Sequence, residues 1–153
     1  MAHWARIIPG PRDRVRALRA LGYAPESAEL PPSLTAGELV ALVASLKRCA
    51  APAPSLVERL GAETLLERPL GALSLGQRRR VLLLAAWVGD PPLLALDEPS
   101  NGLDPEGVLV LADLLRERTR NGKAAVVATH DAAFADAIAT AHLELADGIL
   151  RAG

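Results

Sequence analysis

Asp97 and Glu98 close an apolar run within LLALDEPSNGLD, residues 93–104. A short apolar run followed at once by turn residues reads as a buried strand, which delivers the pair of carboxylates to one edge of a sheet. Two carboxylates there suit the hydrolysis of a nucleotide: one holds magnesium and the other orients the attacking water. The same kind of position recurs twice. Glu26 follows the short strand signal in LGYAPE (21–26), and His130 follows AAVVAT (124–129). In open α/β sheets, ligands bind outside the carboxyl ends of the strands. A fourth feature, LSLGQ at 73–77, opens an apolar helix. The N-terminus of such a helix offers unpaired N–H groups and a positive dipole end, both suited to a phosphate. Taken singly, each has a plainer reading: the carboxylate pair as a helix-capping turn, Ser74 as an ordinary N-cap, and His130 as an exposed histidine.

These residues need a scaffold, and its punctuation is local. Thr35 with Glu38 forms a capping box, ahead of Leu39, Leu42, Val43 and Leu46 at helical spacing. APAP at 51–54 breaks the chain, and Ser55 with Glu58 reads as a second capping box. Residues 33–72 are thus expected to form an all-helical insert. Residues 78–88 are too uniformly apolar after their basic start for a surface helix, and Pro91 and Pro92 stop them. Asp104 followed by Pro105 starts a helix, and Asn121-Gly122 ends it. Asp131 opens another helix, and LELADGILRA (143–152) reads as a hairpin around Asp147-Gly148. Residues 1–20 are Arg-rich and carry no motif. Strands alternating with helices imply an α/β fold with a mainly parallel sheet.

Bulk properties narrow the function. The 153 residues suffice for one domain with a core; 50% are hydrophobic but only 3% aromatic, so Leu, Ala and Val must pack it. A net charge of -1 argues against a nucleic-acid binder. Cys49 is the single cysteine and reads as a small packing residue on a helix. No apolar run reaches the roughly 18 residues of a membrane span, and no signal-peptide pattern follows Arg6, Arg12 and Arg14. Arg78, Arg79 and Arg80 read as a solvated helix face. Trp4 reads as a capping or exposed residue. His3 and His142 carry no assigned role.

The motifs in their order resemble the nucleotide-binding domain of ATP-binding cassette (ABC) proteins. LSLGQRRR resembles the family's signature motif, and LLALDEPSNGLD its Walker B strand and D-loop. VVATHD resembles the strand with the switch histidine, and LGYAPE with LTAGELV the Q-loop strand and following helix. The resemblance implies a P-loop NTPase-like, mainly parallel sheet with an inserted all-helical subdomain: residues 33–86 with the signature, and 87–153 as the Walker B, D-loop and histidine core. It implies Mg²⁺ at Asp97, water activation by Glu98, contact of His130 with the γ-phosphate of ATP, and a sensor role for Glu26 where the family mostly has Gln. It places Ser74, Leu75, Gly76, Gln77 and the D-loop Asp104 against a nucleotide shared with a second ABC ATPase domain. Leu75 stands where the family usually has glycine.

One family element is missing from these residues. A phosphate loop reads G-x-x-x-x-G-K-[ST]. Lys47 follows Leu46; Lys123 follows Gly122 but precedes Ala124, with Glu117 in the first-glycine position. The family's loop lies upstream of the Q-loop, so the chain is expected to be a cassette truncated at its N-terminal side, its sheet lacking a central strand and the neighbouring backbone groups left unpaired or covered by residues 1–20.

Three functions follow from the resemblance. The first is the ATPase subunit of a transporter, cytoplasmic and peripheral on the inner face of the cell membrane, driving a membrane-spanning partner, with export expected. The second is a non-catalytic module that supplies signature and D-loop to an intact partner's ATP site. The third is a degenerate relic. A soluble cassette of DNA repair or translation is disfavoured by the lack of long insertions. The chain by itself is expected to bind ATP weakly and hydrolyse little.

Overall fold

Strand β2 (Leu93–Asp97) lies between β1 (Leu21–Ala24) and β3 (Ala124–Ala128) in a parallel three-stranded sheet. The computed structural model describes residues 11–146 and 148–152. Pairing runs Leu21 to Leu93 and Ala24 to Leu96 on one side, and Leu93 to Ala124 and Asp97 to Ala128 on the other. Leu94 and Leu96 point into the core while Leu93 faces outward, the period-two alternation of a sheet.

The elements in chain order are α1 (Pro11–Arg19), β1, α2 (Ala36–Lys47), α3 (Pro54–Arg59), two 3₁₀ turns (Glu63–Leu65 and Leu70–Ala72), α4 (Leu75–Trp87), β2, α5 (Pro105–Arg120), β3, α6 (Ala132–Ile138), β4 (Leu143–Ala146) and β5 (Ile149–Ala152). Every residue of α4 from Val81 to Trp87 is buried, and Leu83 and Leu84 are completely so. This helix packs on β1 and on α2. Its approach to the sheet depends on Gly22, where a Cβ would collide with the Ala86 carbonyl and the Leu94 side chain.

Local signals account for most helix ends. Thr35 caps α2 in a full capping box: its hydroxyl accepts from the Glu38 N–H, and the Glu38 carboxylate accepts from the Thr35 N–H at 2.8 Å. Asp104 caps α5 with Pro105 in the first turn, and Gly122 follows the C-cap Asn121 at φ 75°. Asp131 caps α6. β4 and β5 form the expected antiparallel hairpin, although Asp147 of its turn lies outside the described residues.

Two expectations are corrected, and two features go beyond what was expected. Ser55 and Glu58 form no capping box, because Pro54 takes the first helical position and leaves Ala53 as the N-cap. Ser55 therefore sits inside the first turn, one place too late. Cys49 lies beyond the C-terminus of α2 rather than on it, since Arg48 turns left-handed at φ 55° and ends the helix. Residues 11–19, left without structure by the sequence reading, fold as α1 against β1. The strands β1–β2–β3 form a continuous sheet, and among the described residues the outer sides of both β1 and β3 have no partner strand. Trp4 and the rest of residues 1–10 lie outside the description.

The edge of the sheet at the strands' N-terminal ends is tied by Arg118. Its buried guanidinium donates to the carbonyls of Pro91 and Ala124 and to the Asp90 carboxylate, which Lys123 also contacts. The opposite edge is left to the functional groups.

Candidate functional site

Because the three strands run parallel, their C-terminal ends share one edge, and Glu26, Asp97, Glu98 and His130 fall on or just past it. The turn after β2 is sharp. Glu98 sits at φ 45°, a left-handed conformation that a residue with a Cβ rarely adopts, while its N–H still donates to the Ala128 carbonyl at 2.8 Å. That turn points the carboxylate back at the end of β3. One oxygen, Oε1, accepts from the His130 backbone N–H at 3.1 Å and lies 2.8 Å from His130 Nδ1. The other, Oε2, accepts from the Thr129 hydroxyl at 3.0 Å.

These bonds set the charges. Burial pushes the Glu98 carboxyl up, but the hydrogen bonds from the His130 ring, the Thr129 hydroxyl and the His130 amide outweigh it and hold the group below the ordinary carboxylate value. The hydrogen bond to Glu98, and then its charge, raise the His130 imidazole above the ordinary histidine value. Each member of the pair thus favours the charged form of the other. The two members differ in access: the Glu98 side chain is 15% exposed and the His130 ring 77%.

Behind the edge lies a buried cation that the sequence reading placed in solvent. Arg79 is 3% exposed and donates to the carbonyls of Pro25 at 2.8 Å, Glu26 at 2.5 Å and Asp97 at 3.4 Å. Burial lowers its pKa, and the charges of Glu26, Asp97 and Glu98 oppose that shift. Helical spacing does not single it out, since the residues three, four and seven on from Arg78, Arg79 and Arg80 alike are buried; what sets Arg79 apart is the three carbonyls it meets. Arg78 and Arg80 are part-buried too and bond the carbonyls of Leu70 and Leu60.

The signature residues form a second cluster at the start of α4. Ser74 is the N-cap, in a capping box with Gln77. Gln77 Oε1 also accepts from Arg68 at 3.1 Å. Asp104 pairs with Arg80 at 2.6 Å, and this bond above all holds its carboxyl below the ordinary value. Gly76 and Gly102 bring the helix start and the loop after β2 together, and a cleft of about 350 Å³ opens there, lined by Ser74, Gly76, Gln77, Arg80, Gly102 and Asp104 among others. Leu75 projects from the first turn and is 69% exposed.

The two clusters bring the named site residues to two places, not one. Glu26, Asp97, Glu98 and His130 belong to the carboxylate edge, with Arg79 and Thr129 as additions the sequence reading missed. Ser74, Leu75, Gly76, Gln77 and Asp104 belong to the signature cleft, with Arg68 and Arg80 as additions. Thr129 left no signal beyond standing next to His130.

A magnesium ion fits the edge only as part of a nucleotide complex. Glu98 is turned toward His130, and among the described residues no three His, Cys, Asp or Glu side chains form a metal cage. Magnesium commonly needs just one or two carboxylates when phosphate oxygens and waters complete its shell, and Asp97 at the strand end meets that requirement.

A parallel sheet with carboxylates and a histidine at its C-terminal edge, flanked by an exposed helix N-terminus, defines the class of the P-loop NTPase-like nucleotide-binding proteins. The chain belongs to the ABC transporter family, whose model, described as "ABC transporter", matches residues 5–101. It is 32% identical over 145 residues to "ATP-binding cassette sub-family A member 7" of Mus musculus, covering 92% of this chain and 7% of that protein. It is 39% identical over 128 residues to "Zinc import ATP-binding protein ZnuC" of Paracoccus denitrificans, covering 82% of this chain and 49% of that protein. Among solved structures, "Structure of ATP binding subunit of ABC transporter" superposes with a TM-score of 0.83 at 25% identity, covering 92% of this chain and 62% of that one. The chain thus spans only part of the length of each of these relatives.

Proposed function

We propose that this chain provides an ATP-binding face of an ABC transporter, coupling nucleotide at that face to a membrane-spanning partner. One observation carries the reading: the chain holds two separate half-sites, a carboxylate edge and a signature cleft, each open to a ligand. In a head-to-tail pair with a second ABC ATPase domain, the cleft faces the partner's nucleotide and the edge faces the chain's own. At the edge, Asp97 would hold Mg²⁺, which when bound would supply neutralisation of phosphate charge. Glu98 positions the attacking water, His130 donates to a γ-phosphate oxygen, and Glu26 senses the nucleotide from the loop after β1. At the cleft, Ser74, Leu75, Gly76 and Gln77 present the first turn of α4, and Asp104 anchors the loop beside it.

In this reading the helical insert at residues 33–72, with the Q-loop region before it, docks the membrane partner, and residues 87–153 form the hydrolytic core. Among the described residues no helix is long and apolar enough to cross a membrane, so contact with the bilayer is assigned to the partner, on its cytoplasmic side. A zinc import protein stands among the relatives, so the proposal covers transport without favouring export. The printed sequence contains no phosphate loop, and phosphoryl transfer depends on positioning by that loop and its lysine. Of the two half-sites, the signature cleft is the one whose proposed role needs no phosphate loop from the same chain.

The test is a mixing experiment with an intact ABC ATPase domain. The chain alone is expected to turn over little ATP. The mixture is expected to gain partner-dependent turnover that Ser74→Asp removes and Glu98→Gln leaves unchanged. Ser74→Asp preserves the N-cap while placing a negative charge against the phosphate, so lost folding does not mimic the effect. Ordinary enzymatic turnover by the chain alone, abolished by Glu98→Gln, would overturn the assignment to the cleft. A mixture no faster than the partner by itself would overturn the trans-acting reading.

A further inference from the structure

Glu98 has three donors around two oxygens, and one of them decides how the other two are used. The Thr129 hydroxyl accepts the Asp131 N–H at 3.1 Å. A hydroxyl has one hydrogen, and with the amide occupying a lone pair that hydrogen is free to point at Glu98 Oε2, 3.0 Å away. The anchor behind it is firm. Asp131 caps α6 by accepting the Phe134 N–H at 3.0 Å, and Phe134 is 3% exposed in the core. Thr129 thus connects the fixed start of α6 to one oxygen of Glu98.

Holding Oε2 leaves Oε1 for His130, whose Nδ1 lies 2.8 Å from it. An ionised carboxylate only accepts hydrogen bonds, so Nδ1 must carry a proton. In its neutral form His130 is then the Nδ1–H tautomer, with a bare Nε2 that accepts but does not donate. In its charged form Nδ1–H still bonds Glu98, and Nε2–H becomes a donor for an anionic oxygen. The carboxylate partner of a histidine selects its tautomer in just this way at other sites.

We propose that Thr129 is a positioning residue that fixes the Glu98 carboxylate and through it the tautomer of His130, so that the histidine offers an Nε2 donor to an anion only when it is charged. The bearing of this on ATP rests on the function proposed above; the arrangement itself does not.

The test therefore uses no nucleotide. In the ¹⁵N-labelled chain at about pH 9, well above the ordinary histidine value, long-range ¹H–¹⁵N spectra report the tautomer of the neutral His130 ring. The wild type is expected to show mainly Nδ1–H. Thr129→Val keeps the shape, removes the hydroxyl and is expected to make Nε2–H the major form; Thr129→Ser is expected to restore Nδ1–H. Thr129→Ala removes the hydroxyl without filling its space and decides the matter if the valine variant does not fold. An Nδ1–H majority in the folded valine or alanine variant, or a serine variant that behaves like valine, overturns the proposal. A tautomer switch as expected, combined with a failed mixing experiment, leaves Thr129's role standing and removes the transporter reading alone.

Discussion

Gly76→Ala sets two opposing effects against each other at the start of the signature helix. Alanine is favoured over glycine in a helix by up to about 1 kcal/mol. Against that gain, a Cβ on residue 76 would lie closer than 3.0 Å to the Gly102 carbonyl oxygen, nearer than real Cβ atoms come. The obstacle is main chain, and Gly102 is itself held at φ 80° with the Leu75 side chain packed against it. Overpacking into an immobile neighbour costs about 1–3 kcal/mol, with a backbone carbonyl at the upper end of that range. The net loss is then about 1–2 kcal/mol, or a fall in Tm of about 2–8 °C for a chain of this size. Gly37→Ala is the control. It lies in the first turn of α2, but its Cβ would meet the Leu66 carbonyl at 3.0 Å, where a shift of a few tenths of an ångström suffices. Thermal unfolding followed by circular dichroism should rank Gly76→Ala clearly below both Gly37→Ala and the wild type. Amide shifts at residues 101–104 should move in the first variant alone. A Gly76→Ala chain that melts with or above the wild type would refute the claim that Gly102 sets the requirement for glycine.

Arg118→Met removes the donor to the buried Pro91 carbonyl and to the exposed Ala124 carbonyl. Leaving the buried acceptor unpaired costs about 1–3 kcal/mol, while Ala124 can turn to water and the lost pairing with the largely exposed Asp90 adds little. A urea midpoint lowered by the equivalent of about 1–3 kcal/mol is expected, and a variant within about 0.5 kcal/mol of the wild type would contradict the strut assigned to Arg118. The Glu98–His130 pair makes stability depend on pH at both ends. The raised His130 contributes fully below the ordinary histidine value of 6.5 and fades as pH rises through its folded value. The lowered Glu98 contributes fully above the ordinary carboxylate value of 4.5 and fades as pH falls through its folded value. The excess stability of the wild type over His130→Gln should therefore be largest between these two values, and a difference flat from pH 4 to pH 9 would count against the pair.

The sequence by itself determined the elements whose signals are local. Thr35 with Glu38 and Ser74 with Gln77 cap their helices through bonds three residues apart, as do Asp104 and Asp131. Residue type at that spacing is nearly the whole of the physics there. The shared edge of Glu26, Asp97, Glu98 and His130 was legible too, because strands alternating with helices run parallel and so present their C-terminal ends together. Even the local rule failed at Ser55, where Pro54 claimed the first helical position. Only the tertiary structure decided what depends on distant backbone. Arg79 differs from its neighbours in RRR because it meets carbonyls 53 and 54 residues away in sequence. Glu98 meets His130 across 32 residues, through a left-handed turn that DEP does not announce. The need for glycine at 76, which the motif does not explain, comes in the fold from a carbonyl 26 residues further on. Sequence spacing reports which faces a helix or strand presents; which of those faces is occupied, and by what, is set only when the chain closes on itself.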